Sequence, residues 1–261
     1  MKKYSIILGG IVLSMVVVGV AYANHSWGTY HWARTANPLA LKLGNNLTSA
    51  WNGFLPTASA DWTLSSVLDT VIVSGLGGKN CKPALGRVEV CNKKYGKNGW
   101  LGLAQIWVNG SHITQGVTKM NDTYFSRAPY NTSAWKQFVV CQEIGHTFGL
   151  NHQDEDFTNA NLGTCMDYTS DPDGTVANPD QLSNEHPNTH DYAQLESIYS
   201  HLDAINTSKS TTGSANAAVD LNDPSAWGKS IRESSDKKTS VFERDLRKGN
   251  KVFTFVIWAQ E

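Results

Sequence analysis

The chain has 261 residues, and its 22 basic and 23 acidic side chains leave a formal net charge of −1. Aromatic residues make up 10% of it, which excludes an intrinsically disordered chain, because that class has few aromatics and a large net charge. A protein that binds nucleic acid through phosphate contacts is basic, so no nucleic-acid partner is expected here. The length suits one large domain with, at most, a small appendage.

The first 23 residues have the composition of a secretory signal peptide. Lys2 and Lys3 form a positive start, residues 6–20 are apolar, and Ala21-Tyr22-Ala23 is a cleavage site of the small-x-small type. Residues 4–23 are uncharged and long enough to span a bilayer, so an uncleaved anchor is the alternative. The cleavage site favours a secreted, extracellular protein without membrane contact after cleavage over a periplasmic or membrane-anchored one.

An even number of cysteines in an exported chain predicts disulfides. Three pairings are open to Cys81, Cys91, Cys141 and Cys165. We favour a bond between Cys81 and Cys91, which closes a short polar loop.

The first part of the chain predicts four strands, one helix and one long loop. Runs of β-branched and aromatic residues bounded by turn residues indicate the strands, and a cap-like start with apolar spacing indicates the helix. These elements are, in order, a strand over 29–34, a helix over 45–54, a strand over 70–73, a loop over 75–99, and strands over 100–108 and 113–125 joined by a turn at Asn109-Gly110.

Two helices and a hairpin are predicted in the second part. Ser133 is expected to cap the first helix, Gly149 to end it in a left-handed conformation, and Asn188 to cap the second. The apolar strand near the C terminus must pair and be covered, since an exposed one would aggregate. The elements are a helix over 133–149 with a buried stripe at Phe138, Cys141, Ile144 and Phe148, a loop over 154–187, a helix over 188–202, a polar linker over 204–217, and a hairpin with strands over 241–246 and 251–259.

The stretch from Cys141 to His152 carries the chemistry. Residues four apart on a helix share a face, so Gln142 and His146 point the same way, with Glu143 beside them. Because Gly149 ends the helix, the chain can turn back and bring His152 to the same point. Two imidazoles, one amide and one carboxylate would then converge, and catalytic zinc needs about three such ligands and one open position.

This stretch resembles the zinc signature HExxHxxGxxH of the metzincin metallopeptidases. It matches at Glu143, His146, Gly149 and His152, and Gln142 stands in place of the first histidine.

Three further segments add to the resemblance. Cys165-Met166-Asp167-Tyr168 is similar to the Met-turn that lies beneath the metal in this family, residues 100–105 (WLGLAQ) to the edge strand that borders the cleft, and residues 186–202 to the C-terminal helix of matrixin-type domains. Together the similar segments extend over roughly residues 29–203.

The resemblance implies an α+β fold. We expect a twisted, mixed and mostly parallel β-sheet with an active-site helix, a Met-turn and a C-terminal helix over residues 24–203, a linker over 204–217, and a small β-hairpin tail over 218–261. It also implies the second disulfide, because Cys141 and Cys165 each precede a site residue. That bond would tie the helix to the Met-turn at Met166.

The implied function is that of a secreted zinc metalloendopeptidase. Gln142, His146 and His152 would hold one zinc ion, and Glu143 would act as general base toward a zinc-bound water. Tyr168 would donate a hydrogen bond to the oxyanion. A polypeptide substrate would lie extended along the edge strand of a monomer.

The amide at Gln142 leaves three interpretations open, because an amide oxygen is a weaker zinc donor than imidazole. It ligates zinc, another residue completes the site, or the site is degenerate. The last case gives the alternative function, a non-catalytic secreted protein that binds peptides or acts in adhesion. The residues considered for completing the site are His31, His112, His186, His190, Asp154 and Tyr168.

Two other features point to structural roles. His25, close to the start of the mature chain, is expected to be exposed. Asp171-Pro-Asp173-Gly174 offers carboxylates for calcium but lacks the full pattern of a calcium loop, so turn formation is the favoured interpretation.

Overall fold

The computed structural model describes residues 24–176, 181–210 and 222–260. The predicted signal peptide and residues 211–217 of the predicted linker lie outside these ranges. None of the helices within the ranges is long and apolar enough to cross a membrane. The strands are β1 (His31–Trp32), β2 (Leu39–Asn46), β3 (Leu68–Ser74), β4 (Arg87–Lys93), β5 (Trp100–Asn109), β6 (His112–Asn121), β7 (Lys229–Glu233), β8 (Thr239–Arg247) and β9 (Asn250–Trp258), and the helices are α1 (Phe54–Trp62), α2 (Asp122–Phe125), α3 (Ser133–His146) and α4 (Thr189–Ile198).

These strands form one mixed sheet. In one half, β3, β2, β4 and β6 are parallel neighbours, and β1 is also parallel to β6. In the other half, β5, β9, β8 and β7 follow β6 in that order, and every pair is antiparallel. Within residues 24–203 the sheet is mostly parallel, as expected, because β5 and β6 form its antiparallel pair. Strands β7, β8 and β9 add antiparallel pairs, since β7–β8 and β8–β9 are joined as hairpins.

Two sequence predictions in the parallel half are wrong. The helix predicted over 45–54 does not form as predicted, because Asn45 and Asn46 still belong to β2 and α1 starts at Phe54. In β2, Leu39, Leu41 and Leu43 are buried while Ala40 and Lys42 are exposed. This period of two is that of a strand, and the helix α1 begins only after it. Strand β4 lies inside the predicted loop over 75–99, where its residues pair with β2 and β6.

Helix α3 is buried almost throughout and contacts α1, β5 and β6. Its N-cap is Thr132 rather than Ser133, and the Thr132 side chain accepts a hydrogen bond from the Trp135 N–H. Helix α4 has the predicted cap. The Asn188 side chain and Asp191 form a reciprocal capping box, which satisfies amide groups at the start of the helix.

Both expected disulfides are confirmed. Cys81 bonds Cys91, and Cys141 bonds Cys165. The first belongs to a cluster of buried side chains that includes Trp100, and the second belongs to the larger core around α3.

The predicted hairpin near the C terminus is also confirmed, as β8 and β9. Strand β9 pairs with β5 from Trp100 opposite Trp258 to Asn109 opposite Asn250. We call β7, β8 and β9 the C-terminal extension. It continues the main sheet instead of standing apart. The apolar side chains of β9 are buried on both faces of that sheet, and they are Val252, Phe253, Phe255, Val256 and Ile257.

Candidate metal centre

The end of α3 and the turn after it bring His146 and His152 together. Gly149 has φ +95°, and a Cβ atom there would lie 2.3 Å from the Tyr30 carbonyl oxygen, so the reversal requires glycine. The Nδ1 of His146 lies 3.0 Å from the Leu150 carbonyl oxygen. This contact makes Nδ1 the protonated nitrogen and leaves a lone pair on Nε2.

His152 approaches the same point from beyond the turn. Its ring stands nearly perpendicular to that of His146, with 4.5 Å between the ring centroids. Its Nδ1 lies 3.4 Å from the Glu155 carboxylate, and its Nε2 lies 2.7 Å from the Tyr168 hydroxyl. Burial lowers the pKa of both His152 and His146, so both imidazoles are neutral.

Gln142 and Glu143 lie on the same helix, and each side chain is 1% exposed. Neither the Gln142 Nε2 nor the Glu143 Oε2 has a hydrogen-bond partner within the described part of the chain. Burial raises the pKa of Glu143 well above its ordinary value. Two buried polar atoms without partners are costly for a purely structural site, and such atoms require an explanation.

Met166 packs against helix α3 at Gly145. A Cβ atom on Gly145 would lie 2.5 Å from the Met166 sulfur, so only glycine permits this approach. The adjacent bond between Cys141 and Cys165 joins the same two segments covalently. The helix and the segment that carries Tyr168 are thereby held in one position.

The C-terminal extension covers the centre. The Phe255 ring of β9 stacks on the His146 ring, with 4.4 Å between centroids and 9° between planes. Arg232 of β7 contacts the Glu155 carboxylate at 2.9 Å, and Thr239 of β8 hydrogen-bonds Tyr168. The expectation that residues 100–105 form a free edge is wrong, because β9 holds that edge of β5.

Of the other candidates for completing the site, Tyr168 contacts His152, and the side chains of the rest contact other residues. His31 and His112 face Asp203, and His186 lies 2.7 Å from Asp61. His190 stacks on His25, and Asp154 accepts the backbone N–H of Asp156 in a turn, at 2.5 Å.

Three residues near the centre were missed by reasoning from the sequence. His25 is 3% exposed rather than exposed as expected, and its Nδ1 lies 3.0 Å from the Asn151 carbonyl oxygen. Burial lowers the pKa of His25 to about 4. Glu155 could have been found from the sequence, because it is a carboxylate three residues after His152. Phe255 could not, because only the order of the strands in the sheet brings β9 to α3.

Glu155 is the ionised member of this group. Burial raises its pKa, but the hydrogen bonds and charges of His152 and Arg232 outweigh burial and lower the pKa to about 2. The carboxylate therefore stays negative and orients the His152 ring.

The Asp171 and Asp173 carboxylates accept backbone N–H groups within their own turn. Asp171 accepts the N–H of Val176 at 2.7 Å, and Asp173 accepts that of Thr175 at 3.3 Å. These contacts are those of the expected turn.

The donor set at the centre fits zinc, which binds neutral imidazole nitrogen and oxygen. Both imidazoles are neutral and hold Nδ1 against an oxygen acceptor. The amide oxygen and nitrogen of Gln142 exchange places by a flip, so its unpartnered atom can be the oxygen. Gln142, His146 and His152 thus offer one oxygen and two nitrogen atoms.

No protein-family model and no curated protein matches the chain. Similar solved structures include high choriolytic enzyme 1, a hatching-enzyme zinc protease from Oryzias latipes (medaka fish), with 10% identity and a TM-score of 0.37 over 67% of this chain and 96% of that chain. Myroilysin is 11% identical, with a TM-score of 0.34 over 70% of this chain and 97% of that one. The likeness is too distant to carry any argument about the centre.

Proposed function

We propose that the protein is an exported, zinc-dependent peptide hydrolase whose reaction centre is Gln142, Glu143, His146, His152 and Tyr168. One observation carries the proposal: two buried, neutral imidazoles, each with Nδ1 against an oxygen acceptor, lie next to each other, and a buried amide and carboxylate of the same helix have unpartnered atoms. The predicted signal peptide and the two disulfides support export, since disulfides persist in oxidising compartments.

Zinc bound by Gln142, His146 and His152 would lower the pKa of water and polarise a peptide carbonyl. A glutamine ligand donates less charge than a third imidazole, so the site would hold zinc less tightly.

Glu143 is placed to move the protons. Burial raises the pKa of Glu143, so its ionised carboxylate would be a stronger base toward water than an exposed carboxylate. The hydroxide formed from the water would attack the peptide carbonyl carbon. The C–N bond would then break, and Glu143 would return the proton to the leaving nitrogen. One water is consumed, and a carboxylate and an amine are formed.

Tyr168 is placed to donate to the oxyanion. Burial raises its pKa well above the ordinary value, so the hydroxyl keeps its proton. In the closed arrangement this hydroxyl lies against the His152 Nε2. Its rotation away from that nitrogen would release the His152 lone pair and offer the O–H to substrate.

Substrate binding along β5 requires β9 to separate from it. A peptide that adds to a sheet needs the N–H and C=O groups of an unpaired edge, and β9 uses those of β5. The hydrolase would therefore be latent while the C-terminal extension is in place.

The same observation favours a second function, that of a non-catalytic secreted protein that binds peptides or acts in adhesion. If β9 never leaves β5, the centre serves as a buried zinc site, and turnover is absent. Retention of Glu143 favours the hydrolase, because a structural zinc site has no use for a general base.

The test uses the full chain as wild type, Glu143→Ala, His146→Gln and Glu196→Ala. Glu196 of α4 serves as the control, because its carboxylate lies outside the centre and accepts a hydrogen bond from the Ser66 hydroxyl. The hydrolase predicts that His146→Gln removes one equivalent of zinc, measured by mass spectrometry. Because β9 closes the centre, Glu143→Ala and Glu196→Ala are also made together with Phe255→Ala, which weakens that closure. In this background, hydrolysis of an unstructured protein is expected to be lost with Glu143→Ala and kept with Glu196→Ala.

Bound zinc without turnover, both in the wild type and after substitution of Phe255, would establish the binding function instead. Equal zinc content in wild type and His146→Gln would refute the metal centre.

A further inference from the structure

Three histidines surround one carboxylate oxygen in a separate part of the fold. His31 lies in β1 and His112 at the start of β6, where the two residues are register partners. His201 and Asp203 lie just after α4. The four residues come from three distant chain segments, and we call them the His31 cluster.

The distances within the His31 cluster match those between ligands of a metal ion. The Asp203 Oδ1 lies 3.4, 3.3 and 3.5 Å from the Nε2 atoms of His31, His112 and His201. Good hydrogen bonds of this kind are shorter, about 2.7–3.2 Å. Two ligands about 2.1 Å from a tetrahedral zinc ion are about 3.4 Å apart.

The ring directions agree with this geometry. The His31 ring stands at 88° to the His112 ring and at 79° to the His201 ring, so the rings do not stack. The ligand atoms of His31, His201 and Asp203 all lie within 4.8 Å of one another. The nitrogen atoms of His31 and His201 therefore approach the Asp203 oxygen within one small volume, and His112 approaches that oxygen beside His31.

Outer contacts hold two of the ligands in place. The His31 Nδ1 lies 2.8 Å from the Thr29 carbonyl oxygen, which leaves the lone pair on Nε2. The Asp203 Oδ2 accepts the Arg34 N–H at 2.9 Å, which turns Oδ1 toward the histidines. Protein metal sites use such partners to fix imidazole and carboxylate ligands.

Burial differs across the cluster in a way that leaves a path for an ion. The side chains of His31 and Asp203 are 8% and 9% exposed, whereas that of His201 is 53% exposed. His31 and His201 also line an open surface cleft. An ion can enter from that cleft and meet a preformed inner pair.

We propose that the His31 cluster is a second zinc site, distinct in all its residues from the centre at His146. Three imidazole nitrogens and one carboxylate oxygen are a donor set that suits zinc. His31, His201 and Asp203 form the inner group, with all ligand atoms within 4.8 Å of one another, and His112 reaches the same Asp203 oxygen at 3.3 Å as the fourth ligand. Four protein ligands would close the site, as in structural zinc sites. The ion ties β1 and β6 to the segment that follows α4. The proposal does not depend on the hydrolase.

The test compares the full chain as wild type, His201→Gln and His112→Gln. The control is His186→Gln, which alters a histidine of similar exposure to His201, at 51%, outside the cluster. Each protein is stripped with a chelator, and its zinc affinity is measured by competition with a chromophoric chelator. Wild type and His186→Gln are expected to bind one equivalent of zinc more than the two cluster variants.

Zinc should also raise the melting temperature through this site. At a free zinc concentration a hundred times Kd, we expect a rise of roughly 5–10 °C that is absent in His201→Gln. Because His201 is half-exposed, this variant should fold normally without zinc, and its metal-free melting temperature shows whether it does.

The zinc content of each variant, subtracted from that of the wild type, separates this site from the centre at His146, because only His146→Gln alters the centre. If zinc stoichiometry, affinity and melting temperature are the same in wild type, His201→Gln and His112→Gln, the second site does not exist.

Discussion

Replacement of Phe255 by alanine removes the side chain that closes the candidate metal centre. Phe255 is fully buried, stacks on the His146 ring, and meets the Trp27 ring edge-on with 5.0 Å between centroids. The substitution removes no backbone hydrogen-bonding group from β9, but it weakens the packing of β9 against the centre. The pairing of β9 with β5 should therefore open more often, although the strand is still present.

The expected loss of stability is large. Truncation of a buried phenylalanine costs about 3–5 kcal/mol, because the transfer free energy is lost and a cavity remains. For a domain of this size, such a loss lowers the melting temperature by roughly 6–20 °C. Phe242→Ala is the matched control. Phe242 lies on β8, is half-buried, and packs on Trp227 instead of His146, so we expect a loss of about 1–2 kcal/mol.

Urea unfolding, followed by tryptophan fluorescence, measures both losses in chelator-treated protein. Zinc uptake and hydrolysis of an unstructured protein are then compared between the two variants and wild type. We expect faster uptake and increased hydrolysis in Phe255→Ala alone. A loss of stability below about 1 kcal/mol would refute the close packing of Phe255 against His146 and Trp27. A full loss with unchanged zinc uptake and unchanged hydrolysis would refute the role of Phe255 in closing the centre.

Three further predictions concern the same region. Gln142→His should bind zinc about tenfold more tightly or better, since imidazole is the stronger donor, and equal affinity in a competition assay would show that this side chain is not a ligand. Replacement of Cys141 and Cys165 by alanine should lower the free energy of unfolding by about 3.5 kcal/mol, because the bond spans 24 residues. Replacement of Cys81 and Cys91, which are 10 residues apart, should lower it by about 2.7 kcal/mol. If urea unfolding gives the reverse order, the stabilisation does not have an entropic origin. Burial lowers the pKa of His25 to about 4, whereas an unfolded imidazole titrates near 6.5, so the unfolded chain binds the additional proton between these values. The free energy of unfolding of the wild type should therefore fall by about 3 kcal/mol through His25 as pH falls from about 6.5 to 4, and His25→Gln should lack this part of the loss. If wild type and His25→Gln lose the same free energy of unfolding over this pH range, the prediction is wrong.

Local signals in the sequence were sufficient for several features. The i, i+4 spacing placed Gln142 and His146 on one helical face, and the left-handed Gly149 was predicted from its place at the helix end. The cap at Asn188 and the bond between Cys81 and Cys91 followed the same kind of short-range reasoning, whereas the bond between Cys141 and Cys165 was implied by the family resemblance. By contrast, the alternation in β2 was missed because its polar end, Asn45-Asn46, also has the form of a helix start.

The sequence by itself determined the local geometry of the candidate site, because a helix, its glycine stop and a short return bring His146 and His152 together with little help from the rest of the fold. Only the tertiary structure decided that the site is closed. Strand β9 carries no sign of its partner, since a strand can pair with any free edge, and its position beside β5 follows from the order of the whole sheet. The His31 cluster was likewise invisible in the sequence, because its four residues meet only when β1, β6 and the end of α4 are packed together.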